Sequence, residues 1–326
     1  MCRRAIWRGM CGAALLAATI PALAAVPASY GQVSLDDLEV RYRLPNSRFI
    51  DVDGARVHYV DEGKGPVVVL LHGSYYSLRE WSDWSKALIQ NFRVIRMDRL
   101  RFGLTRNFPD HNVSYDSEVA LLEGFTRALG LTTFSLAGGS SGGIVAALYA
   151  DRHPDNVKRL ILFNFPLGHG RITSDDTLRE MSRVNVARGW QTPEYTKLQL
   201  QDGLVDQSRI TPELVQRMTD FANREDPGGK SRAAFSAAAG LGEPERKAML
   251  GRLKMPVLVL WSEKNRTLSL ANGEAAFAAI GSTQKRFSVA MNVGHAAPIE
   301  GGAATARAAS VFFLGNWPPS RLTKQR

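Results

Sequence analysis

Ser140 stands in Gly138-Gly139-Ser140-Ser141-Gly142-Gly143, the stretch of this chain whose residue types and spacing best suit chemistry. A short apolar run at 134–137 precedes it, and a small-residue helical stretch at 144–150 follows. A strand that turns into a helix at one residue holds that residue in a strained backbone, and flanking glycines permit close approach. G-x-S-x-G in that context predicts a nucleophilic serine at the carboxyl edge of a sheet, over the positive end of a helix dipole. A serine hydroxyl is a poor nucleophile without a base. Of the six histidines, His295 fits best, because Asn292-Val293-Gly294-His295 follows the last predicted strand and enters the final helix. Ser140 before His295, each at the end of its strand, is an order that places both at one edge. His58 lies within a strand and reads as structural, His153 as a helix-end cation and His111 as solvated, while His169 opens a long insertion and is a candidate pocket residue.

Negative charge developing on a carbonyl oxygen needs two donors. The backbone N–H of Ser141, first in the elbow helix, is one. The N–H of Ser74, in the loop after His72-Gly73, is the other. His72 reads as a residue that fixes that loop. For Tyr75 and Tyr76 two readings stand side by side, pocket lining and plain surface aromatics. This chemistry requires no cofactor and no metal, and the expected partner is a small-molecule acyl substrate.

The elements that must position these groups read as an α/β fold. Asp53-Gly54 between two alternating runs signals an antiparallel hairpin. Apolar runs at 67–71, 160–163 and 256–261 suit strands of a parallel sheet buried on both faces, and 93–97 and 134–137 read as further strands of it. With residues 286–290 the pattern predicts an eight-stranded, mostly parallel sheet with helices on both faces. Residues 166–255 carry helical segments and no strand signal, so a helical cap is expected after the sixth strand. The resulting division is a core at 47–165 and 256–326, the cap at 166–255, and a surface-packed leader at 25–46. Pro318 and Pro319 open a polar tail.

The formal charge is +10, with Lys and Arg scattered and no basic run or nucleic-acid motif, which argues against a nucleic-acid partner. Residues 1–24 combine Arg3, Arg4 and Arg8 with an apolar run and Ala22-Leu23-Ala24, the pattern of a cleaved signal peptide. Export to the periplasm or medium, with no stable membrane insertion after processing, is the expectation; an uncleaved amino-terminal anchor is the alternative. Both cysteines, Cys2 and Cys11, fall within that segment, so a processed chain has no disulfide and no thiol nucleophile.

Taken together, the residues resemble the α/β-hydrolase family, in particular its capped members with a serine nucleophile. The resemblance runs over about residues 47–315. It is carried by Asp53-Gly54 with Tyr59, His72-Gly73, Asp98 with Gly103 and Thr105, the Ser140 elbow, and Gly294-His295 with Glu300. It implies an esterase-like hydrolase working through an acyl-enzyme, although the family also includes lactonases, peptidases and carbon–carbon bond hydrolases. Members with an aspartate nucleophile, such as dehalogenases and epoxide hydrolases, are disfavoured by Ser140.

Two positions depart from the family pattern. The acid expected after the seventh strand is Asn265, in Ser262-Glu263-Lys264-Asn265, and the alternative acid position after the sixth strand falls near Asn164. Three arrangements are open: Asn265 orients His295 in a weakened triad, a neighbour such as Glu263 substitutes, or catalysis is lost and the chain is a non-catalytic binder of small ligands. The second departure is Arg101, where relatives usually carry glycine; it either reaches the substrate or points to solvent.

Overall fold

The computed structural model describes residues 31–106, 114–168, 174–185, 190–225 and 241–323. Residues 1–24, read above as a signal peptide, and His111 and His169 lie outside them. The strands are β1 (Arg48–Val52), β2 (Ala55–Gly63), β3 (Val67–Leu71), β4 (Arg93–Met97), β5 (Phe134–Gly139), β6 (Val157–Phe163), β7 (Val257–Ser262), β8 (Lys285–Ala290) and β9 (Arg321–Leu322). They form one sheet in the order β1-β2-β4-β3-β5-β6-β7-β8-β9. β2 runs antiparallel to both β1 and β4, and every other pairing is parallel.

Among the described residues the sheet therefore has nine strands where eight were expected. The extra strand is two residues long, too short to show a period. It forms because Leu322 buries its side chain and β8 offers its free edge, with Ala290 opposite Leu322. The carbonyls of Pro318 and Pro319 accept hydrogen bonds from Arg286 Nη1 and Ser288 Oγ, which draws the supposed tail onto the sheet.

Two apolar layers sandwich the sheet. On one face α3 (Tyr115–Ala128), α4 (Ser141–Arg152), α8 (Glu243–Arg252) and α9 (Leu270–Ala279) cover Val69, Leu136, Leu162 and Val259. On the other, α2 (Ser82–Leu88) and α11 (Gly302–Phe313) cover Val68, Leu70, Ile161 and Leu258. Alternate residues of one strand thus enter opposite layers, which is why these strands read as unbroken apolar runs. Because β3 and β5–β8 are parallel, the loops after them all emerge at one edge, where ligand sites of open α/β sheets lie.

Between β6 and β7 run α5 (Asp175–Asn185), α6 (Pro193–Gly203), α7 (Pro212–Ala222) and α8. The leader is more than a surface strip. Residues 35–42 form α1 (Leu35–Tyr42), capped by Ser34, and Leu38 is fully buried against Leu104 and Phe221. Tyr42 Oη and Arg41 Nη1 both donate to Asp220 of α7, and Val33 pairs with the chain at Asn223 and Glu225. The i, i+3 spacing of Leu35 and Leu38 was the available signal for this helix. A short α10 (Ala297–Glu300) leads from the β8 loop into α11.

Candidate active site

Ser140 sits between β5 and α4 with φ 50° and ψ −123°, a conformation that strains any residue with a Cβ. The turn closes because glycine occupies its neighbours: a Cβ at Gly142 would lie 2.4 Å from the His72 carbonyl oxygen, and one at Gly138 2.3 Å from that of Gly142. The Ser140 N–H donates to Phe163 O at 2.8 Å, fixing the elbow against β6.

The structure brings Ser140, His295 and Asn265 into one chain of contacts. Ser140 Oγ is 3.3 Å from His295 Nε2, and His295 Nδ1 is 3.1 Å from Asn265 Oδ1. The first distance is long, as such contacts commonly are before substrate binds. Asn265 is buried, and its Oδ1 also accepts the N–H groups of Thr267 (3.0 Å) and Leu268 (2.9 Å). This settles which way the amide faces. Turned over, it would press its NH₂ against two backbone donors. With oxygen held toward the imidazole, Nδ1 must carry the ring proton and Nε2 presents its lone pair to Ser140. An amide that presents NH₂ instead selects the other tautomer, an error that lowers serine-protease turnover by about 10⁴. Asn265 avoids that error and lacks only the negative charge. Its Nδ2, buried, makes no hydrogen bond among the described residues.

Glu263 does not take the place of an acid here. Its Oε2 accepts the Asn292 N–H at 3.0 Å, on the outer side of the loop. Asn164 is an amide for a reason the sequence did not show. Its Nδ2 donates to His295 O (2.8 Å) and Ser262 Oγ (2.9 Å), and its Oδ1 accepts from Ser262 N (2.9 Å). A carboxylate there would face a carbonyl oxygen without a proton to offer. Glu300 anchors the same loop, accepting the N–H groups of Gly294 (2.7 Å) and Asp206.

Ser141 opens α4, so its N–H has no intrahelical acceptor. Ser74 faces it: the two hydroxyl oxygens are 2.7 Å apart, which ties the β3 loop to the elbow. Behind them lies Arg99, buried and paired through two hydrogen bonds (2.7 and 2.8 Å) with the buried Glu118. Its Nη1 also donates to Ser141 Oγ (2.9 Å) and His72 O (2.8 Å). Sequence reasoning missed this brace; an arginine beside Asp98 and a glutamate within an apolar helix stripe were its only signals. His72 does fix its loop, with Nδ1 bonded to Gly73 O and Nε2 accepting the Arg99 N–H. Burial, then the Arg99 charge, lowers its pKa to about 4, so the ring is neutral. His58 bonds Asp98 and Ser47, and His153 ends α4 with Nε2 2.7 Å from Glu123.

A cavity of about 180 Å³ opens over Ser140 and His295. Tyr75 and Tyr76 line it, together with Glu80, Asn164 and Pro298, and so do Gln199, Gly203 and Met218 from between β6 and β7. Tyr75 is 37% exposed and holds φ 70°, so it is at once lining and surface. Arg101, at φ 66°, does not line this cavity. Among the described residues no cluster of metal-binding side chains occurs, and no helix is long and apolar enough to cross a membrane.

Comparison with known proteins places the chain among hydrolases. A 2-hydroxy-6-oxo-6-phenylhexa-2,4-dienoate hydrolase of Comamonas testosteroni is 27% identical over 235 residues, 68% of this chain and 79% of that one. A 2-hydroxy-6-oxo-2,4-heptadienoate hydrolase of Pseudomonas putida is 36% identical over 120 residues, 35% of this chain and 43% of its own length. Among solved structures, a membrane phospholipase A described as a bacterial virulence factor superposes with a TM-score of 0.70 at 21% identity, over 82% of this chain and 86% of that one. That likeness speaks to the fold. The profile of the alpha/beta hydrolase fold matches residues 66–302, most of the chain and all the loops that build the cavity. The chain belongs to the α/β-hydrolase family, and its relatives are hydrolases.

Proposed function

We propose that this chain is a serine hydrolase that cleaves an ester or similar acyl substrate through an acyl-enzyme on Ser140. The observation that carries the reading is the contact chain from Ser140 Oγ through His295 to an oxygen that fixes the imidazole tautomer. In the first step His295 Nε2 takes the Ser140 proton as Oγ bonds to the acyl carbon. The N–H groups of Ser74 and Ser141 face the carbonyl oxygen as it gains charge, braced through their own hydroxyls by Arg99. The imidazolium then hands its proton to the leaving alcohol. Water repeats the sequence in reverse, His295 removing its proton, and the acid departs.

On the same reading residues 166–255 form a cap over this site, and residues 1–24 direct export, which sequencing of the amino terminus of the exported protein checks. The rival reading, a non-catalytic binder, draws on the missing charge at Asn265. Purified protein is expected to hydrolyse short aryl esters and to be labelled by a fluorophosphonate, with both lost in Ser140→Ala. Turnover that survives this substitution sinks the serine mechanism; absence of turnover and labelling in the native protein favours the binder.

A further inference from the structure

We propose that the substrate of this site carries a carboxylate, held by Arg79 and Arg217 in a second cavity beside the one over Ser140. The inference rests on the serine-hydrolase reading and adds the substrate's chemical class. The second cavity measures about 130 Å³ and shares Tyr75, Tyr76, Glu80, Met218 and Pro298 with the first. One molecule spanning both would lie across the tyrosines, with its acyl carbon at Ser140 and its far end among arginines.

Arg217 lies on α7 and lines this cavity. Among the described residues no carboxylate pairs with it. The two acids that helical spacing brings nearest are committed elsewhere. Asp220 accepts from Tyr42 Oη (2.6 Å), Arg41 Nη1 (3.2 Å) and Gln216 Nε2 (2.7 Å). Glu213 turns back to its own N–H and to Thr211 at the start of the helix. Arg79, on the 3₁₀ turn Leu78–Trp81, donates through Nη2 to Tyr42 O at 2.8 Å, and among the described residues no carboxylate is in salt-bridge contact with it. Asp98 attracts its charge from further off, but that carboxylate is taken up by His58 and by the N–H groups of Leu78 and Leu104.

Burial disfavours the charge on both guanidinium groups, and the charge of Arg79 adds to the penalty on Arg217. Two like charges brought together out of water are unfavourable until an anion joins them. A planar fork of donors is the geometry that suits a carboxylate. The acids that face the same space do not supply it. Glu80 is bonded to Gly73 N, and burial pushes its pKa up to about 7; Asp83 sits at the rim near Arg209 and Lys86.

The test compares mono-p-nitrophenyl glutarate with p-nitrophenyl valerate, esters of nearly equal length that differ in the terminal charge. The native protein should show a kcat/KM ratio of at least about 10 in favour of the glutarate ester. Arg217→Met should lower that ratio by about 10- to 100-fold, the range for a charge-assisted bond, and Arg217→Lys should fall between. Arg79→Met should act in the same direction, and thermal melting confirms that each variant is folded. A native ratio near one, or a ratio unchanged in folded Arg217→Met, overturns the proposal. Calorimetric binding of glutarate separates the two readings if neither ester is cleaved and Ser140 resists fluorophosphonate. Glutarate bound by the native protein and lost in Arg217→Met leaves the anion site standing without the hydrolase; no binding removes it as well.

Discussion

Asn265→Asp should speed the reaction and weaken the fold, and the two effects come from different atoms. The substitution adds one negative charge beside His295 while the contacting oxygen keeps its Thr267 and Leu268 donors. At the observed 3.1 Å contact the charge centres lie roughly 4 Å apart, and two unit charges at that distance attract by about 4 kcal/mol at an effective dielectric near 20. Only part of the imidazolium charge has developed in the transition state. A barrier lowered by about 1.5–3 kcal/mol follows, or roughly a 10- to 150-fold rise in kcat/KM. Stability moves the other way. The atom replacing Nδ2 becomes a charged oxygen in a buried place that offers no hydrogen bond, at about 1–3 kcal/mol. Initial rates on p-nitrophenyl acetate and urea unfolding measure the pair. A folded Asn265→Asp protein with unchanged or reduced kcat/KM would refute the argument that only charge is missing.

Removing one partner of the buried Arg99–Glu118 pair, as in Glu118→Gln, should destabilise the fold by about 3–5 kcal/mol in denaturant titration, and Arg99→Met with Glu118→Leu together should recover much of the loss. Asn164→Asp should cut kcat/KM at least about tenfold, since it removes the donor to His295 O; a variant at native activity contradicts the role given to that amide. Glu80 carries a pH signature. Its folded pKa of about 7 lies above its ordinary 4.5, so the folded state holds the proton longer than the unfolded one. Its contribution is fully present below about pH 4.5 and is lost as pH rises toward 7. Glu80→Gln should therefore flatten the fall in unfolding free energy across that window, as followed by urea midpoints; an unchanged slope speaks against the buried neutral acid.

The elbow, the parallel strands and His295 were legible because each is a local pattern: glycines at fixed offsets, unbroken apolar runs, a loop after a strand. What escaped depends on partners far apart in the chain. Asn164 is explained only by Ser262 and His295, and Arg99 only by Glu118 and Ser141. The burial of α1 needs Leu104 and Phe221, and β9 needs the open edge of β8. Asn265 was legible as a departure but not as a solution, because the two backbone donors that aim its oxygen belong to a turn whose shape the residue types do not dictate.

Asn164 also bears on how accurately the site is assembled. Loops from β5, β6, β7 and β8 meet at Ser140 and His295, and small errors in four independently placed loops would add. Here one side chain, set at φ 47°, bonds the end of β7 and the carbonyl of His295, while its neighbour Phe163 accepts from the elbow itself. Misplacement of any one loop is therefore shared by all rather than accumulated between Ser140 and His295. In dimensional terms the site is referenced to a single datum.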